Sequence, residues 1–377
     1  MTRVMFLLSK DPVHEQGGDL ATSRVMMQLA ASTFDVSAIC LAREDHRDGE
    51  LPAGCRALVR VPKQAVVPAR LLLGSIRSRR SLVHERFDVD PLLTAIDASD
   101  ADLYVAEHSY MAETFLRSRH RGRRPLIVNT INTESQVWLA TRGLLGRLQA
   151  PHILRDELRV ARAADAVGTY DAEEAAFYRS HGVPAARWIE LSFPPEPQLD
   201  ISATGRRLVF VGRRDWPPNQ EGFVKSLELW PRISAGIPDA ELWVVGAKNP
   251  GARDPAYPDG VRDVGFVPDL AGFLSTCRAL LAPIKTGGGV RAKLLDAASR
   301  GLPVVGSTAA IGSHGPLFDL PGYDDDEALV QRCRALLLDR SVAASAGNDL
   351  YECNRRHWRG GGPRRSVEGL LNAGSRV

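Results

Sequence analysis

The chain has 377 residues and lacks much of what marks several protein classes. It holds five cysteines, Cys40, Cys55, Cys277, Cys333 and Cys353, with no Cys-x-x-Cys spacing. An odd, scattered set in a long chain argues against a disulfide framework. It points to reduced, mostly buried thiols in a cytoplasmic protein. Neither Cys nor His shows metal-ligand spacing, so no metal site is expected. No apolar run approaches the roughly 20 residues of a membrane span. The opening MTRVMFLLSK is too short for a signal peptide, because Lys10 and Asp11 follow at once, and it reads as a first strand. Net charge is +3, too small to demand a nucleic-acid partner. No Gly-x-Gly-x-x-Gly follows the first strand, which disfavours a dinucleotide dehydrogenase. Lysine is scarce beside arginine, which reads as compositional bias rather than chemistry.

What is present is ordinary for a soluble globular protein, with 44% apolar and 25% charged residues. The length predicts two domains. The stretch Pro283 to Val305, PIKTGGGVRAKLLDAASRGLPVV, carries the most chemistry. It reads as a strand end, a triple-glycine loop, one helix and a second strand. Gly287, Gly288 and Gly289 let backbone approach a bound group closely. The helix is predicted from about Val290 to Gly301, with Pro303 just beyond. Arg291 and Lys293 then fall in its first turn, where cations oppose the helix macrodipole. A bound anion resolves that conflict. Asp296 lies three residues after Lys293 on a neighbouring part of the helix surface. Glycines, two cations and a carboxylate suit a phosphate-bearing ligand with hydroxyls to be read. The plainer alternative is a solvated turn with a surface pair.

The rest of the chain alternates strand and helix. Val4 to Leu8 reads as a buried strand, followed by a loop with Gly17 and Gly18, a helix from about Leu20 to Ala31, and a strand from Phe34 to Cys40. This βαβ opening predicts a parallel sheet. Ligands bind outside the carboxyl ends of such strands, which puts Gly17 and Gly18 at a site mouth, unless the loop is a plain connector. Pro68 to Phe87 interleaves Arg70, Arg77, Arg79, Arg80 and Arg86 with leucines, Ile76 and Val83. Two readings stand: a basic amphipathic helix on an anionic membrane, or a solvated helix packed on its domain. Asp102 to Ala106 and Leu126 to Thr130 read as strands, with His108 after the first. Leu154 to Ala164 reads as a helix and Asp165 to Thr169 as a short strand. Asp171 suits a helix cap. Ser192 to Gly205 reads as a linker. Leu208 to Val211, Glu241 to Val245, Val261 to Val267 and Ala279 to Pro283 read as strands of a second domain. Asn219 reads as the cap of the helix after the first, and Arg214 as a solvated neighbour of Arg213.

GGGVRAKLLDAASRGLPVV resembles the C-terminal signature of retaining glycosyltransferases with the GT-B fold, family 4 of that class, also called glycosyl transferases group 1. INTESQVW and FVGRRDWPPNQEG resemble further segments of the same family. The resemblance implies that Arg291 and Lys293 hold a nucleotide diphosphate. It implies that Asp296 takes the ribose hydroxyls, and that backbone at Val267 holds the base. Gly212 and Arg213 open the nucleotide domain, with Arg213 where a phosphate-binding Arg often stands. Gly17 and Gly18 face acceptor and donor sugar; Asn132 and Glu134 are sugar or acceptor contacts. Three departures stand out. Asp296 replaces the usual Glu, Gly288 replaces a sugar-contacting Glu found in many members, and Ile131 replaces a His commonly placed near the donor sugar. His108, from the adjacent strand end, is the candidate for that space.

The expectation is therefore an α/β protein of two doubly wound Rossmann-like domains facing across a cleft, the GT-B arrangement. Residues 1–195 form the acceptor domain and 206–350 the nucleotide-sugar domain. Residues 351–377 form a helix crossing back to the first domain, interrupted near RHWRGGGPRR. The reaction expected is retaining transfer of a sugar from a UDP- or GDP-linked donor to a lipid, glycan or small-molecule hydroxyl. It needs no cofactor, and no metal where two cations already neutralise the phosphates. Two alternatives stay open: a non-catalytic GT-B-like binding protein, and a nucleotide-sugar epimerase. The location expected is cytoplasmic, with peripheral membrane contact through 68–87 under the first reading of that helix.

Overall fold

The computed structural model describes residues 1–43, 49–248 and 253–374. Its backbone clusters into two compact units. The first takes Met1–Leu191, Gly288–Ala292 and Gly361–Val377; the second takes Ser192–Gly287 and Lys293–Gly360.

The first unit holds seven parallel strands: β1 Arg3–Leu8, β2 Asp35–Ala42, β3 Ala57–Pro62, β4 Leu103–Glu107, β5 Leu126–Thr130, β6 Ala166–Thr169 and β7 Ala186–Trp188. Their order is β3-β2-β1-β4-β5-β6-β7. β4 and β5 are buried at every position, as expected of central parallel strands covered on both faces. β3 is an edge strand, mostly exposed or half-buried. The order reverses between β1 and β4, and the loops after those two strands flank the place where such sheets bind ligands. The last helix, Gly362–Gly374, buries Val367, Leu370 and Leu371 in this unit. Those three side chains contribute about 6 kcal/mol of apolar burial as an upper figure. Gly361, at φ 72, separates this helix from the preceding one, Arg340–Arg359.

The second unit has five parallel strands: β8 Arg207–Val211, β9 Glu241–Val245, β10 Val261–Gly265, β11 Ala279–Ala282 and β12 Val304–Gly306, in the order β10-β9-β8-β11-β12. Its reversal lies between β8 and β11, so Gly212 and the Pro283–Gly287 segment flank it.

The Pro68–Phe87 stretch is two helices rather than one, Pro68–Ser78 and Leu82–Phe87. Arg79 breaks it by taking the left-handed conformation at φ 57. Ser81 then caps the second helix by accepting from the His84 amide. Cys40, Cys55, Cys277 and Cys333 are buried, Cys353 is half-buried, and all five are free thiols.

Candidate functional site

In the first unit, the loop after β1 and the end of β4 bring several polar groups together. The helix Gly18–Ala30 starts at Gly17, and Asp19 in its first turn lies 2.5 Å from the Lys10 amine. Burial pushes the Asp19 carboxyl up, but Lys10, His108 and the Leu20 amide together lower its pKa. His108 directly follows β4 and is buried, not exposed as a lone surface His would be. Its φ of 76 is a strained conformation for a residue with a Cβ. Its ring stacks on Tyr110 at 4.7 Å, and its Nδ1 has no hydrogen-bond partner. Burial lowers the His108 pKa to about 4, so the imidazole is neutral at pH 7.

Glu107 ends β4 beneath this group. It accepts from Ser23 Oγ at 3.1 Å and from Asn129 Nδ2 at 2.9 Å. Burial raises its pKa to about 7. Ser23 is on the Gly18–Ala30 helix, so Glu107 ties that helix to the β4 and β5 strand ends. Neither Lys10 nor Glu107 was singled out by sequence reasoning. The available signal was a carboxylate closing the otherwise apolar strand LYVAE.

The segment after β5 behaves similarly. Glu134 begins the helix Glu134–Thr141, and burial raises its pKa to about 7. Glu157 accepts from the Glu134 amide at 2.7 Å and the Ser135 amide at 3.3 Å, satisfying the helix start. Its own pKa is pushed up to about 8 by burial. Ile131 is buried and uses its backbone: its carbonyl accepts from the Val290 amide at 3.0 Å. Gly289, at φ 62, touches the same carbonyl so closely that a Cβ there would lie 1.9 Å from it and 2.8 Å from the Asn132 Cβ. That position admits only glycine. Gly288 is roomier, with the Glu174 Oε1 at 3.4 Å from where a Cβ would stand. Glu174 accepts from the Thr133 amide at 2.9 Å, and burial raises its pKa to about 7. A Cβ on Gly18 would come within 2.6 Å of the Ala292 Cβ, so Gly18 and the Gly288–Ala292 loop are neighbours.

Arg291 does not lie in a helix. The helix runs Ala292–Arg300, and Arg291 precedes it. Its guanidinium reaches the Gly289 carbonyl at 2.7 Å and the Asp171 carboxylate at 3.0 Å, with 8% and 4% of the two side chains exposed. Asp171 is also the cap expected from sequence, accepting from the Glu173 amide at 2.8 Å.

In the second unit, Lys293 is half-buried in the first turn of its helix, its amine turned inward. Its amine donates to Asn219 Oδ1 at 2.6 Å and lies 5.2 Å from the centre of the Phe210 ring. Burial lowers its pKa to about 8. Asn219 is therefore not the helix cap. That helix is Pro217–Ser234 with Trp216 at the cap position, and Asn219 instead links Lys293 to the Arg213 carbonyl at 2.8 Å. A Cβ on Gly212 would collide with the Asn219 side chain at 2.7 Å. Asp296 pairs with Arg300 at 3.1 Å, and burial raises its pKa. Lys293 and Asp296 share a recess with Val211, Leu274, Leu280, Ala297 and Leu302, and these apolar walls keep both groups poorly hydrated.

Of the two arginines after β8, Arg214 is not the solvated neighbour expected from sequence. Arg213 is the exposed one, paired with its neighbour Asp215 at 3.2 Å. Arg214 is fully buried, held by Asp263 at 2.8 Å and Asp254 at 3.1 Å, 4.5 Å from the Phe223 ring centre. Val267 is half-buried in the loop after β10, and that strand ends at Gly265 rather than Val267. Among the described residues no group of three or more His, Cys, Asp or Glu is placed to hold a metal ion.

Residues 205–339 match the family described as "Glycosyl transferases group 1". No curated protein sequence matches the chain significantly. Solved structures resemble it over nearly all of its length. Sucrose-phosphate synthase from Thermosynechococcus elongatus is 18% identical, covering 99% of this chain and 96% of its own, with a TM-score of 0.68. Anabaena HepE in complex with UDP and glucose is 15% identical over 99% of this chain and 100% of its own, at 0.69. TarM of S. aureus, bound to fondaparinux, α-GlcNAc-glycerol and UDP, is 8% identical over the full length of both chains, at 0.72. At such identities the likeness is one of fold: two Rossmann-like α/β domains of the GT-B kind.

Proposed function

Because residues 205–339 match the glycosyl transferases group 1 family and the chain has the GT-B fold, we propose that this protein is a glycosyltransferase that moves a sugar from a nucleotide-diphosphate donor to an acceptor hydroxyl. The observation that carries this reading is Lys293. Its amine sits at the start of a helix behind a glycine loop, inside the matched segment, 2.6 Å from Asn219 Oδ1 and against the Phe210 ring, a setting that burial makes costly for a cation. A diphosphate at that helix start offsets the cost.

The chemistry follows from where charge develops. As the bond from the anomeric carbon to the phosphate oxygen breaks, the sugar becomes oxocarbenium-like and negative charge builds on the leaving diphosphate. Lys293, Arg291 and the amides of the glycine loop stabilise that charge as preorganised donors. Arg291 joins in by exchanging Asp171 for phosphate. Asp296, one methylene shorter than Glu, takes the ribose hydroxyls, and backbone at Val267 the base. Neutral His108, Asn132 and Glu134 contact sugar or acceptor. Retention of the anomeric configuration, a UDP- or GDP-linked donor and metal independence complete the reading. The acceptor is a hydroxyl on a lipid, glycan or small molecule, and a lipid acceptor is reached by peripheral membrane contact through residues 68–87.

One observation favours a second reading, a binding protein without turnover: the Arg291 guanidinium is already committed to a buried carboxylate. The test is incubation with UDP- and GDP-sugars and a panel of acceptors, with and without a chelator, following nucleotide release and the product's anomeric proton. Release that survives chelation, with an unchanged anomer, supports the proposal. Binding without release supports the second reading. Loss on chelation, restored by divalent metal, contradicts metal independence.

A further inference from the structure

We propose that the first unit docks on an anionic bilayer through two separate leucine elements, the helix Pro68–Ser78 and the turn joining the helices Glu134–Thr141 and Gly143–Ala163. This deepens the membrane contact in the reading above by assigning its surface, and rests on that reading only for the role of the acceptor.

The first element presents its apolar side outward. Leu72, Leu73 and Ile76 are 53%, 68% and 67% exposed, and with Ala69 they keep the i, i+3, i+4, i+7 spacing of one helix face. The opposite face carries half-buried Leu71, Gly74 and Ser75 and rests on the unit. Gly74 lies against the Glu85 carboxylate, where a Cβ would come within 2.3 Å. No residue of this helix is buried. A soluble helix normally turns such a stripe inward, so this one is amphipathic towards the outside. Arg70 and Arg77 flank the stripe, exposed, and pair with no described carboxylate. Arg80, which the sequence grouped with them, is spoken for by Asp88 and Glu113.

The second element repeats the pattern. Leu144 and Leu148, one turn apart, are 73% and 60% exposed, with Leu139 and Leu145 beside them in sequence, also exposed. Arg142 and Arg147 are exposed in the same turn region, and Arg142 lies over the Trp138 ring at 5.6 Å. Arg155 further along this helix donates to the Arg79 carbonyl, so the first element ends against the second helix.

Charge selects the partner. No Asp or Glu occurs from Lys63 to His84; Lys63 and Arg80 there pair with Glu15, Asp88 and Glu113, which leaves Arg70, Arg77 and Arg79. None occurs from Ser135 to Arg155; Arg155 pairs with Asp156, which leaves Arg142 and Arg147. A nucleic acid or acidic protein would pair with the arginines and leave the leucines in water. A second copy of this face would bury the leucines but set arginine against arginine. A bilayer with anionic headgroups satisfies both, with leucines below the headgroups and arginines among them. Among the described residues no helix is long and apolar enough to cross a membrane, so the contact is with the surface.

The test is co-sedimentation of the full chain with vesicles of phosphatidylcholine alone or with added phosphatidylglycerol, at low and high salt. Three paired variants are compared: Arg70→Gln with Arg77→Gln, Leu73→Ser with Ile76→Ser, and Leu144→Ser with Leu148→Ser. All six positions are exposed, and melting temperature and UDP binding report their integrity. Wild type is expected to sediment with the anionic vesicles and to be released by salt. The arginine pair is expected to weaken partitioning by about fivefold per arginine. Each leucine pair is expected to weaken it too. Failure of wild type to sediment, or variants that sediment like wild type, overturns the proposal. So does a dimer that the leucine variants dissociate without any vesicle binding, which assigns the face to a second copy. Failure of every form to bind any of UDP, GDP, ADP and dTDP unseats the glycosyltransferase reading and leaves the vesicle result standing.

Discussion

The Arg291 guanidinium lies 3.0 Å from the Asp171 carboxylate, with both side chains almost dry. The residues are 120 positions apart in sequence. The pair holds the arginine of the glycine loop in the first unit, and under the proposed function a phosphate would compete with Asp171 for it. Removing one partner of a buried pair leaves the other charge uncompensated. Asp171→Asn keeps a capping side chain but strands Arg291, and is expected to cost about 3 kcal/mol of stability. It is also expected to tighten nucleotide binding several-fold, because the competitor is gone. Chemical denaturation and calorimetry read the two effects separately; lower stability with unchanged affinity would show that Arg291 does not bind the nucleotide.

Gly288 and Gly289 make a matched contrast. Gly289→Ala forces a side chain onto φ 62 and into the Ile131 carbonyl, and is expected to cost about 3 kcal/mol. Gly288→Ala meets only the Glu174 oxygen at ordinary contact distance and is expected to change stability by about 0.5 kcal/mol or less. Equal effects in denaturant melts would contradict the loop's attachment to Ile131.

Lys293 gives a pH signature. Burial lowers its pKa to about 8 from the ordinary 10.5, so the unfolded chain binds more protons between those values. The Lys293 contribution to stability therefore rises as pH climbs from 8 to 10.5, and below pH 8 the buried charge is a constant burden. Anion binding favours the charged amine. Diphosphate binding is expected to weaken above pH 8 and, near that pH, to take up protons. Calorimetry in buffers of different ionisation enthalpy measures the uptake, and Lys293→Met is expected to abolish it. Uptake that persists in the variant assigns the proton elsewhere.

Four carboxyls, three on buried residues and one on half-buried Glu134, act in the other direction. Glu107, Glu134 and Glu174 are raised to about 7, and Glu157 to about 8, each by burial first. Their ordinary value is 4.5, so the folded state holds the extra protons between that value and 7 to 8. The stability they confer is complete below pH 4.5 and is lost as pH rises through the folded values. Melting temperature is expected to fall from pH 5.5 to pH 8. Glu157→Gln, which keeps an acceptor for the Glu134 amide, is expected to flatten that fall. A melting temperature that rises across this range would show these groups ionised in the fold.

Much of the fold was legible because its signals are local. The apolar run Val4–Leu8, the Gly17–Gly18 loop and the glycine loop before Lys293 each announce a strand end or a turn by composition alone. The unread parts depend on distant partners. Arg213 and Arg214 are chemically identical in sequence; Asp254 and Asp263, 40 and 49 positions on, decide which is buried. β3 escaped because an edge strand alternates weakly, and β7 because it has three residues. The break at Arg79 has neither glycine nor proline to mark it. In the candidate site, Lys293, Asp296 and the glycines were readable from spacing. The buried Glu107, Glu157 and Glu174 were not, since burial is set by neighbouring strands and helices rather than by adjacent residues.

The most direct measurement is calorimetric titration of UDP, GDP, ADP and dTDP into wild type and into the Arg291→Ala, Lys293→Ala double variant. The account predicts that one nucleotide binds wild type tightly and that the variant loses it while remaining folded. Binding that is unaffected by the double substitution, or no binding of any of the four to wild type, would contradict it.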